Sequence, residues 1–370
     1  MSTPISVLVI DDSAFMRKMV TEIISRDPDL KVVGQARDGS DGLAKIESLR
    51  PDVVTLDVEM PVMDGREALT RIMNGPRPLP VVMLSSLTQV GAEVTMQCLS
   101  LGAVDFVAKP SGAISLDIDR IAAELITKIK TAAVARIRRA SPLPLPEPPI
   151  HSASRVASAA NIALLVIGAS TGGPRALQTL IPMLPVDIGV PILIVQHMPP
   201  GFTESLARRL DGMSQISVRE AVAGDRLTDG VALVAAGGHH LQIDASGQVH
   251  LTNEPPVHGV RPSVDVTLAS IAAVYGSRTV AVILTGMGKD GARGMKTIRE
   301  MGARTIAEHE STCVVYGMPK SVVELNAAEQ ILPLPRIAAA ITAAVRPARQ
   351  TRKIQSAISG NFGLSAQSGR

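Results

Sequence analysis

The chain has 370 residues, of which 46% are hydrophobic, and this length is typical of two domains. Aromatic residues make up only 2% of the chain, which argues against nucleic-acid binding by base stacking. The 37 Lys and Arg against 34 Asp and Glu give a net charge of +3, too small to indicate a DNA partner. The two cysteines lie far apart, which excludes a disulfide scaffold and a cysteine-rich zinc site.

The two ends and the middle of the chain predict its organisation. The N-terminus lacks the basic and apolar segments of a secretory signal, and no apolar run reaches the ~18 residues of a membrane span. We therefore expect a cytoplasmic protein without membrane insertion. Residues 141–150, SPLPLPEPPI, contain five prolines and favour an extended linker. We predict folded units at residues 1–130 and 161–346, a linker between them at 131–160 and a disordered tail at 347–370.

In the first unit, short apolar runs rich in β-branched residues alternate with helical stretches. The predicted strands are Val7–Ile10, Lys31–Ala36, Val53–Leu56, Val81–Leu84 and Val104–Ala108. The predicted helices are Ala14–Ser25, Gly39–Leu49, Gly65–Met73, Val90–Leu101 and Asp117–Ala135. Five such repeats predict an α/β fold with a doubly wound parallel sheet, of the flavodoxin-like kind.

The second unit repeats this alternation. Its strongest predicted strands are Ala163–Gly168, Ile192–Gln196, Val231–Ala235, Val280–Leu284 and Arg304–Ala307. Leu241–Asp244 and Val249–Thr252 flank a short turn and predict a β-hairpin. We expect a second doubly wound parallel sheet, in a Rossmann-like α/β/α domain that carries this hairpin.

Five polar residues end strands of the first predicted sheet. Asp11 and Asp12 follow the first strand, Asp57 ends the third, and Ser85 and Lys109 follow the fourth and fifth. The carboxyl ends of parallel strands meet at one edge, so these groups should share a crevice. Clustered carboxylates favour a cation such as Mg²⁺, and a metal-neutralised Asp can attack a phosphoryl group. Each Asp alone could be a turn or capping residue, but the five groups together favour a site.

The segments IDDSAFMR, TLDVEMPVMDG, MLSS and AKP resemble the response-regulator receiver family over residues 1–130. This resemblance implies phosphorylation of Asp57. It implies a Mg²⁺ site at Asp12 and Asp57, with Asp11 beside them. It also implies a conformational switch through Ser85 and Lys109. The family often has Thr where this chain has Ser85, and Ser keeps the hydroxyl donor.

A glycine-rich turn follows the first strand of the second unit. Gly168–Gly172 fits G-x-S-x-G, in which small residues allow a sharp turn that exposes Ser170 before a helix N-terminus. Such a turn can equally cradle a phosphate, and the five-residue pattern alone does not decide between the two. The chain lacks G-x-G-x-x-G at this turn, which argues against a dinucleotide site.

A serine nucleophile needs a base and a group that orients the base. His197 ends the next strand, PILIVQ, so it should lie at the same sheet edge as Ser170. Asp290 lies in a glycine-rich loop after Val280–Leu284, at the same predicted edge. A strand-end His is more often structural, and Asp beside Gly is usually a turn residue. Their common edge with Ser170 favours a functional role for both.

The order Ser, His, Asp along the chain differs from that of the α/β-hydrolases. GASTGGPRAL, IVQHMPPGFTESLA, RPSVD, ILTGMGKDGARGM and CVVYGMP resemble the chemotaxis protein-glutamate methylesterase/protein-glutamine glutaminase family over residues 161–345. The resemblance implies Ser170 as nucleophile, His197 as general base and acid, and Asp290 as the group orienting the imidazole. It also implies an oxyanion hole formed by the backbone amides of Thr171 and Met287.

The two resemblances together imply a phosphorylation-activated serine hydrolase in chemotaxis adaptation. Its substrates would be γ-methyl esters of glutamyl residues on chemoreceptors, with release of methanol, and specific receptor glutamines, with release of ammonia. A chemotaxis histidine kinase would donate the phosphoryl group, and the hydrolase chemistry would need no cofactor. We expect the unphosphorylated receiver to lie over the edge that carries Ser170 and to block substrate.

Two other functions are compatible with parts of the pattern. A phosphorylation-gated adaptor would dock on a receptor without catalysis, but the intact Ser170, His197 and Asp290 argue against it. A receiver-coupled DNA-binding regulator lacks a recognisable helix-turn-helix and has nearly balanced charge. One departure concerns the segment RPSVD, which many family members precede with His. This chain has Val260 at that position and His258 two residues earlier. The resemblance therefore does not define the substrate contacts of this loop.

Overall fold

A computed structural model describes residues 3–110, 117–137 and 162–345. Most of the predicted linker and all of the predicted tail lie outside these residues. Residues 131–133, which the sequence assigned to the linker, belong to the last helix of the first unit. In the part of the chain that is described, no helix is both long and apolar enough to cross a membrane.

The first sheet has five parallel strands in the order β2-β1-β3-β4-β5, as in flavodoxin-like folds. The strands are β1 Ile5–Ile10, β2 Leu30–Ala36, β3 Val53–Asp57, β4 Val81–Ser85 and β5 Asp105–Ala108. Between and after them lie α1 Ala14–Ser25, α2 Gly39–Leu49, α3 Gly65–Asn74, α4 Gln89–Leu101 and α5 Asp117–Ala133. The predicted fold of this unit is confirmed, with element ends that differ by at most two residues.

Local sequence explains where these elements begin and end. β3 and β4 are buried along their whole length because helices cover both faces of the sheet. The helices after β1, β2, β3 and β4 begin at side chains that accept backbone N–H groups, namely Ser13, Asp38, Asp64 and Thr88. These caps fix the turns at the carboxyl edge, where the polar residues lie.

The second sheet has seven parallel strands in the order β14-β13-β12-β6-β7-β9-β8. Its strands are β6 Leu164–Ala169, β7 Ile192–Gln196, β8 Ser217–Glu220, β9 Val231–Val234, β12 Thr279–Ile283, β13 Arg304–Glu308 and β14 Gln330–Leu332. The helices are α6 Gly173–Leu180, α7 Phe202–Asp211, α8 Val264–Val274, α9 Ala292–Glu300, α10 Met318–Glu324 and α11 Leu334–Val345. The doubly wound α/β prediction is confirmed for this unit as well.

The predicted hairpin is present as β10 His240–Ile243 and β11 Val249–Thr252, which pair antiparallel as a separate two-stranded sheet. Two strands escaped prediction, β8 and β14. They are four and three residues long, lie at the two edges of the sheet and are partly exposed. Short edge strands carry little of the apolar pattern by which buried strands are recognised.

The two units pack against each other through a continuous apolar interface. Phe106 of β5 and Phe202 of α7 are both almost fully buried, and their ring centroids lie 4.3 Å apart. Ser100 at the end of α4 donates a hydrogen bond of 2.6 Å to Gln178 of α6. The interface therefore brings the last strand and last two helices of the first unit onto the Ser170 side of the second.

The tight turn from β3 to α3 leaves no room for a side chain at Gly65, so an added methyl group there should lower stability. A Cβ at Gly65 would lie 2.0 Å from the carbonyl oxygen of Asp57. Gly65→Ala should therefore destabilise the chain by about 1–3 kcal/mol, because backbone cannot move aside cheaply. Thermal unfolding followed by circular dichroism measures the effect. The control is Gly212→Ala, where the added Cβ meets nothing closer than 3.6 Å; equal melting temperatures for both variants would contradict the account.

Candidate functional site

The acidic crevice of the first unit forms as the sequence predicts. Carboxylate oxygens of Asp11, Asp12 and Asp57 lie within 4.8 Å of one another. Lys109 Nζ lies 2.7 Å from Asp57 Oδ1 and 3.0 Å from Asp11 Oδ2. Asp11 and Asp57 are buried, whereas Asp12 is exposed at the mouth of the crevice.

The electrostatics of this crevice favour an added cation. Burial raises the pKa of Asp57 to about 6, against the hydrogen bond from Lys109 that lowers it. Desolvation alone would lower the pKa of Lys109, but the hydrogen bonds to and the negative charges of Asp57 and Asp11 outweigh it. The net effect is a raised pKa, so Lys109 stays an ammonium. Asp11 Oδ2 is buried, and the Lys109 ammonium at 3.0 Å faces it. One cation therefore faces three carboxyl groups, and the donor set fits a hard divalent ion.

Ser85 is fully buried and faces α4. Its hydroxyl accepts from Thr95 Oγ1 at 2.7 Å and lies 3.3 Å from the carbonyl oxygen of Gly91. Both partners belong to α4, so the hydroxyl is engaged away from the Asp57 carboxylate. A switch that moves Ser85 toward Asp57 must break these bonds and would disturb the N-terminal half of α4.

The turn after β6 exposes Ser170 for reasons visible in its neighbours. Gly172 has φ of 79°, the left-handed region that glycine tolerates best. A Cβ at Gly173 would lie 2.1 Å from Gln196 Oε1, so the turn presses against the end of β7. Gln196 Nε2 in turn donates to the Ser170 carbonyl oxygen at 3.0 Å. Ser170 Oγ has no hydrogen-bond partner among the residues whose positions are described, and its side chain is partly exposed.

His197 lies at the neighbouring strand end, and its backbone N–H donates to the Ala169 carbonyl oxygen at 3.1 Å. Its Nε2 lies 2.8 Å from Asp290 Oδ2. Nε2 is thereby committed to Asp290, which leaves Nδ1 as the ring nitrogen available to a neighbouring hydroxyl. The predicted base and the predicted orienting acid are thus in direct contact.

Asp290 is buried at the N-terminus of α8. Its carboxylate accepts from Ser263 Oγ at 2.7 Å and from the backbone N–H groups of Val264 and Asp265 at 2.6 and 3.2 Å. Burial alone would raise its pKa, but the hydrogen bonds from His197, Ser263 and Val264 hold it below the usual value. The positive end of the α8 dipole acts in the same direction. The carboxylate stays ionised and can stabilise a positive imidazolium.

The loop after β12 packs directly on the Ser170 turn. Ser170 N–H donates to the Thr285 carbonyl oxygen at 3.1 Å, and Thr285 Oγ1 donates to the Thr171 carbonyl oxygen at 3.0 Å. A Cβ at Gly286 would lie 2.8 Å from Ser170 Cβ. Thr171 and the loop that carries Met287 therefore both lie beside Ser170.

Residues of the first unit contact both of these flanking residues. Thr171 Oγ1 donates to Asp105 Oδ2 at 2.5 Å, and Thr131 Oγ1 lies 2.7 Å from Met287 Sδ. Lys128 holds the same Asp105 through a 3.2 Å ion pair. The first unit therefore contacts Thr171, which is buried, and Met287, which remains 43% exposed.

Some functional residues escaped the sequence analysis. RPSVD was recognised as a motif, but Ser263 received no role, and Gln196 was not noticed beside His197. Serine before an apolar helix is a capping signal, so the position of Ser263 was predictable but its contact with Asp290 was not. His258 Nε2 lies 3.3 Å from Asp265 Oδ2, in the first turn of α8. His258, Asp265 and Asp290 could also gather around an ion, although Arg293 lies 3.7 Å from Asp265 Oδ2 and opposes it.

Comparison with known proteins matches both units. A model of the response regulator receiver domain matches residues 7–118, and one of the CheB methylesterase matches residues 165–341. A crystal structure of the Thermotoga maritima CheB methylesterase catalytic domain is 47% identical. The match covers 49% of this chain and 97% of the Thermotoga maritima chain, with a TM-score of 0.48.

Curated relatives match along nearly the whole chain. A protein-glutamate methylesterase/protein-glutamine glutaminase of Symbiobacterium thermophilum is 56% identical, over 92% of this chain and 97% of the relative. A second relative of the same name, from Pseudomonas aeruginosa, is 50% identical over 91% of this chain and 96% of its own length. The chain belongs to the protein-glutamate methylesterase/protein-glutamine glutaminase family, with a response-regulator receiver domain followed by a CheB methylesterase domain.

Proposed function

We propose that this chain hydrolyses γ-methyl esters of glutamyl residues on chemoreceptors and deamidates specific receptor glutamines, with Ser170 as nucleophile. The observation that carries the proposal is the His197–Asp290 pair, joined at 2.8 Å at the sheet edge that also carries Ser170. Family membership supports the substrate class, since the relatives are named for glutamyl ester and glutamine hydrolysis.

The geometry supports a two-step acyl transfer. His197 Nδ1 takes the proton of Ser170 Oγ, which attacks the ester carbonyl carbon. The backbone amides of Thr171 and Met287 stabilise the oxyanion, and Asp290 stabilises the imidazolium. The tetrahedral intermediate collapses as methanol leaves with the proton from His197. Water then attacks the acyl-enzyme with His197 as base, which releases a glutamate carboxylate and restores Ser170. With a glutamine substrate, ammonia leaves instead of methanol.

In this proposal the receiver domain regulates the hydrolase reaction. Asp105 and Thr131 contact Thr171 and Met287, so these contacts restrict the approach of a large substrate to the proposed oxyanion site while they hold. Phosphorylation of Asp57 by a chemotaxis histidine kinase would draw Ser85 out of its bonds with α4. Since α4 and β5 pack on the second unit, such a movement would weaken the contacts with Thr171 and Met287.

A Mg²⁺ ion at Asp11, Asp12 and Asp57 would neutralise the carboxylates during phosphoryl transfer. The carboxylate oxygens of these three residues lie within 4.8 Å of one another and fit such an ion. Lys109 holds the Asp57 carboxylate in place and offers its ammonium to a phosphoryl oxygen. We assign no cofactor to the hydrolase step.

If the crevice binds Mg²⁺, substitution of one of its carboxylates should weaken Mg²⁺ binding selectively. Asp12→Asn should weaken Mg²⁺ binding on the order of tenfold or more, because it removes one charged ligand from the crevice. Isothermal titration calorimetry measures the affinity. The matched control is Asp52→Asn, whose side chain bonds Ser6 at the opposite end of β3. An equal affinity in the Asp12 and Asp52 variants would contradict the assignment.

Methanol release from methyl-labelled chemoreceptor membranes tests the proposed reaction. Wild type should release methanol, and a small phosphodonor with Mg²⁺ should accelerate the release. Ser170→Ala should lower kcat by at least about 10³-fold, because the nucleophile is lost, and Asp57→Ala should abolish only the acceleration.

Ser246→Ala is the matched control for the serine, since Ser246 lies in the exposed turn of the hairpin. Its methanol release should equal that of wild type. Full release from the Ser170→Ala variant would refute the nucleophile. Receptor binding without methanol release by phosphorylated wild type would instead indicate an adaptor.

The covering contact predicts a gain of basal activity. Asp105→Ala removes the carboxylate that accepts from Thr171 and pairs with Lys128. Loss of about 1 kcal/mol from the closed conformation should raise unphosphorylated methanol release by about fivefold. The fully phosphorylated rate should change little, because there the contact is already broken. An unchanged basal rate would show that this contact does not hold the receiver on the site.

A further inference from the structure

A buried carboxyl group supports the loop that carries the proposed oxyanion donor Met287. Glu308 ends β13, next to β12, and its side chain is completely buried. Its Oε2 accepts the backbone N–H of Thr285 at 2.8 Å. Its Oε1 is buried as well. Neither the proposed hydrolysis nor the receiver switch uses this group.

Thr285 connects this carboxyl group to the nucleophile. Its carbonyl oxygen accepts Ser170 N–H at 3.1 Å, and its hydroxyl bridges the Thr171 carbonyl oxygen and Val315 N–H, both at 3.0 Å. Gly286, the next residue, packs against Ser170 and precedes Met287. A displacement of the Thr285 backbone would therefore move the Ser170 turn and the Met287 amide together.

We propose that Glu308 is a positioning residue which, as a neutral acid, holds Thr285 and thereby keeps the Met287 amide aligned with Ser170. The proposal rests on the proposed hydrolase function of Ser170. Glu308 would touch neither substrate nor reacting atoms, and would act only through the Thr285 backbone. An ionised carboxylate at the same place would put an unpaired negative charge behind a loop that must stabilise an oxyanion.

The surroundings of Glu308 favour the neutral form. Burial raises its pKa to about 7, against the hydrogen bonds of Thr285, Thr312 and Cys313 that lower it. Among the described groups, the loop after β12 brings Thr285 beside it and β14 brings Leu332, and neither is titratable. The Cys313 thiol is the nearest titratable neighbour, and burial raises its pKa, so it stays uncharged.

Charged groups on the other packed elements point to solvent. They are His309, Glu310 and Arg136 at the loop after β13, with Glu310 and Arg136 paired at 2.5 Å, and Lys320, Glu324 and Arg336 on α10 and α11. None of them is among the groups that set the Glu308 pKa. The carboxyl group therefore ionises as the pH rises through about 7, and the folded state loses stability over that interval.

Two substitutions in the full phosphorylated chain test the proposal. Glu308→Gln keeps an acceptor for Thr285 N–H and cannot ionise, so kcat at pH 6 should match wild type and exceed it increasingly above pH 7. Glu308→Leu removes the acceptor, and kcat should fall roughly 10- to 100-fold with KM unchanged, less than the loss of an oxyanion donor itself. The matched control is Glu329→Gln, a partly exposed carboxylate paired with Arg304, which should leave the pH profile unchanged.

A second readout separates this proposal from the proposed function. The Thr285 backbone amide resonance, followed by NMR in the full chain, should titrate with a midpoint near pH 7 in wild type and not in Glu308→Gln. A wild type that titrates but releases no methanol would refute the hydrolase function and leave the Glu308–Thr285 coupling standing. A Thr285 resonance that does not titrate, or superimposable pH profiles of wild type and Glu308→Gln, would overturn the positioning role.

Discussion

The site of the second unit depends on a buried, ionised carboxylate. Asp290 is 2% exposed, and an isolated charge at that depth would be protonated instead. It remains charged because the N-terminus of α8 supplies Ser263 Oγ and two backbone N–H groups, while His197 supplies a fourth donor. The position of α8 against the β12 loop therefore determines the orientation of the imidazole.

A few direct side-chain contacts join the receiver to the proposed reaction site. The residues proposed to stabilise the oxyanion, Thr171 and Met287, are the ones that Asp105 and Thr131 of the receiver contact. An interface that covered a remote surface would regulate only through propagated strain. Here Asp105 and Thr131 touch the two loops of the proposed reaction site directly, so that loss of these contacts would act on the site without an intermediate element.

Much of this arrangement is predictable from the sequence. Parallel strands expose their ends at one edge, so strand assignment alone brought Ser170, His197 and Asp290 together, and likewise Asp11, Asp57 and Lys109. Contacts between distant segments were beyond this reasoning. The bonds of Ser263 to Asp290 and of Glu308 to Thr285 join residues 27 and 23 positions apart, and nothing in local periodicity specifies them. That the receiver would lie near the Ser170 edge was an expectation, but the contacts of Asp105 with Thr171 and of Thr131 with Met287 were not predicted.

Accessibility of the nucleophile position tests the central claim, that the receiver covers the site until it is phosphorylated. The measurement is alkylation of a Ser170→Cys variant by iodoacetamide, which is selective because the native Cys98 and Cys313 are both buried. Labelling should be slow without phosphodonor, about tenfold or more faster with phosphodonor and Mg²⁺, and slow again when Asp57→Asn is added. Equal labelling rates in all three conditions would contradict the account.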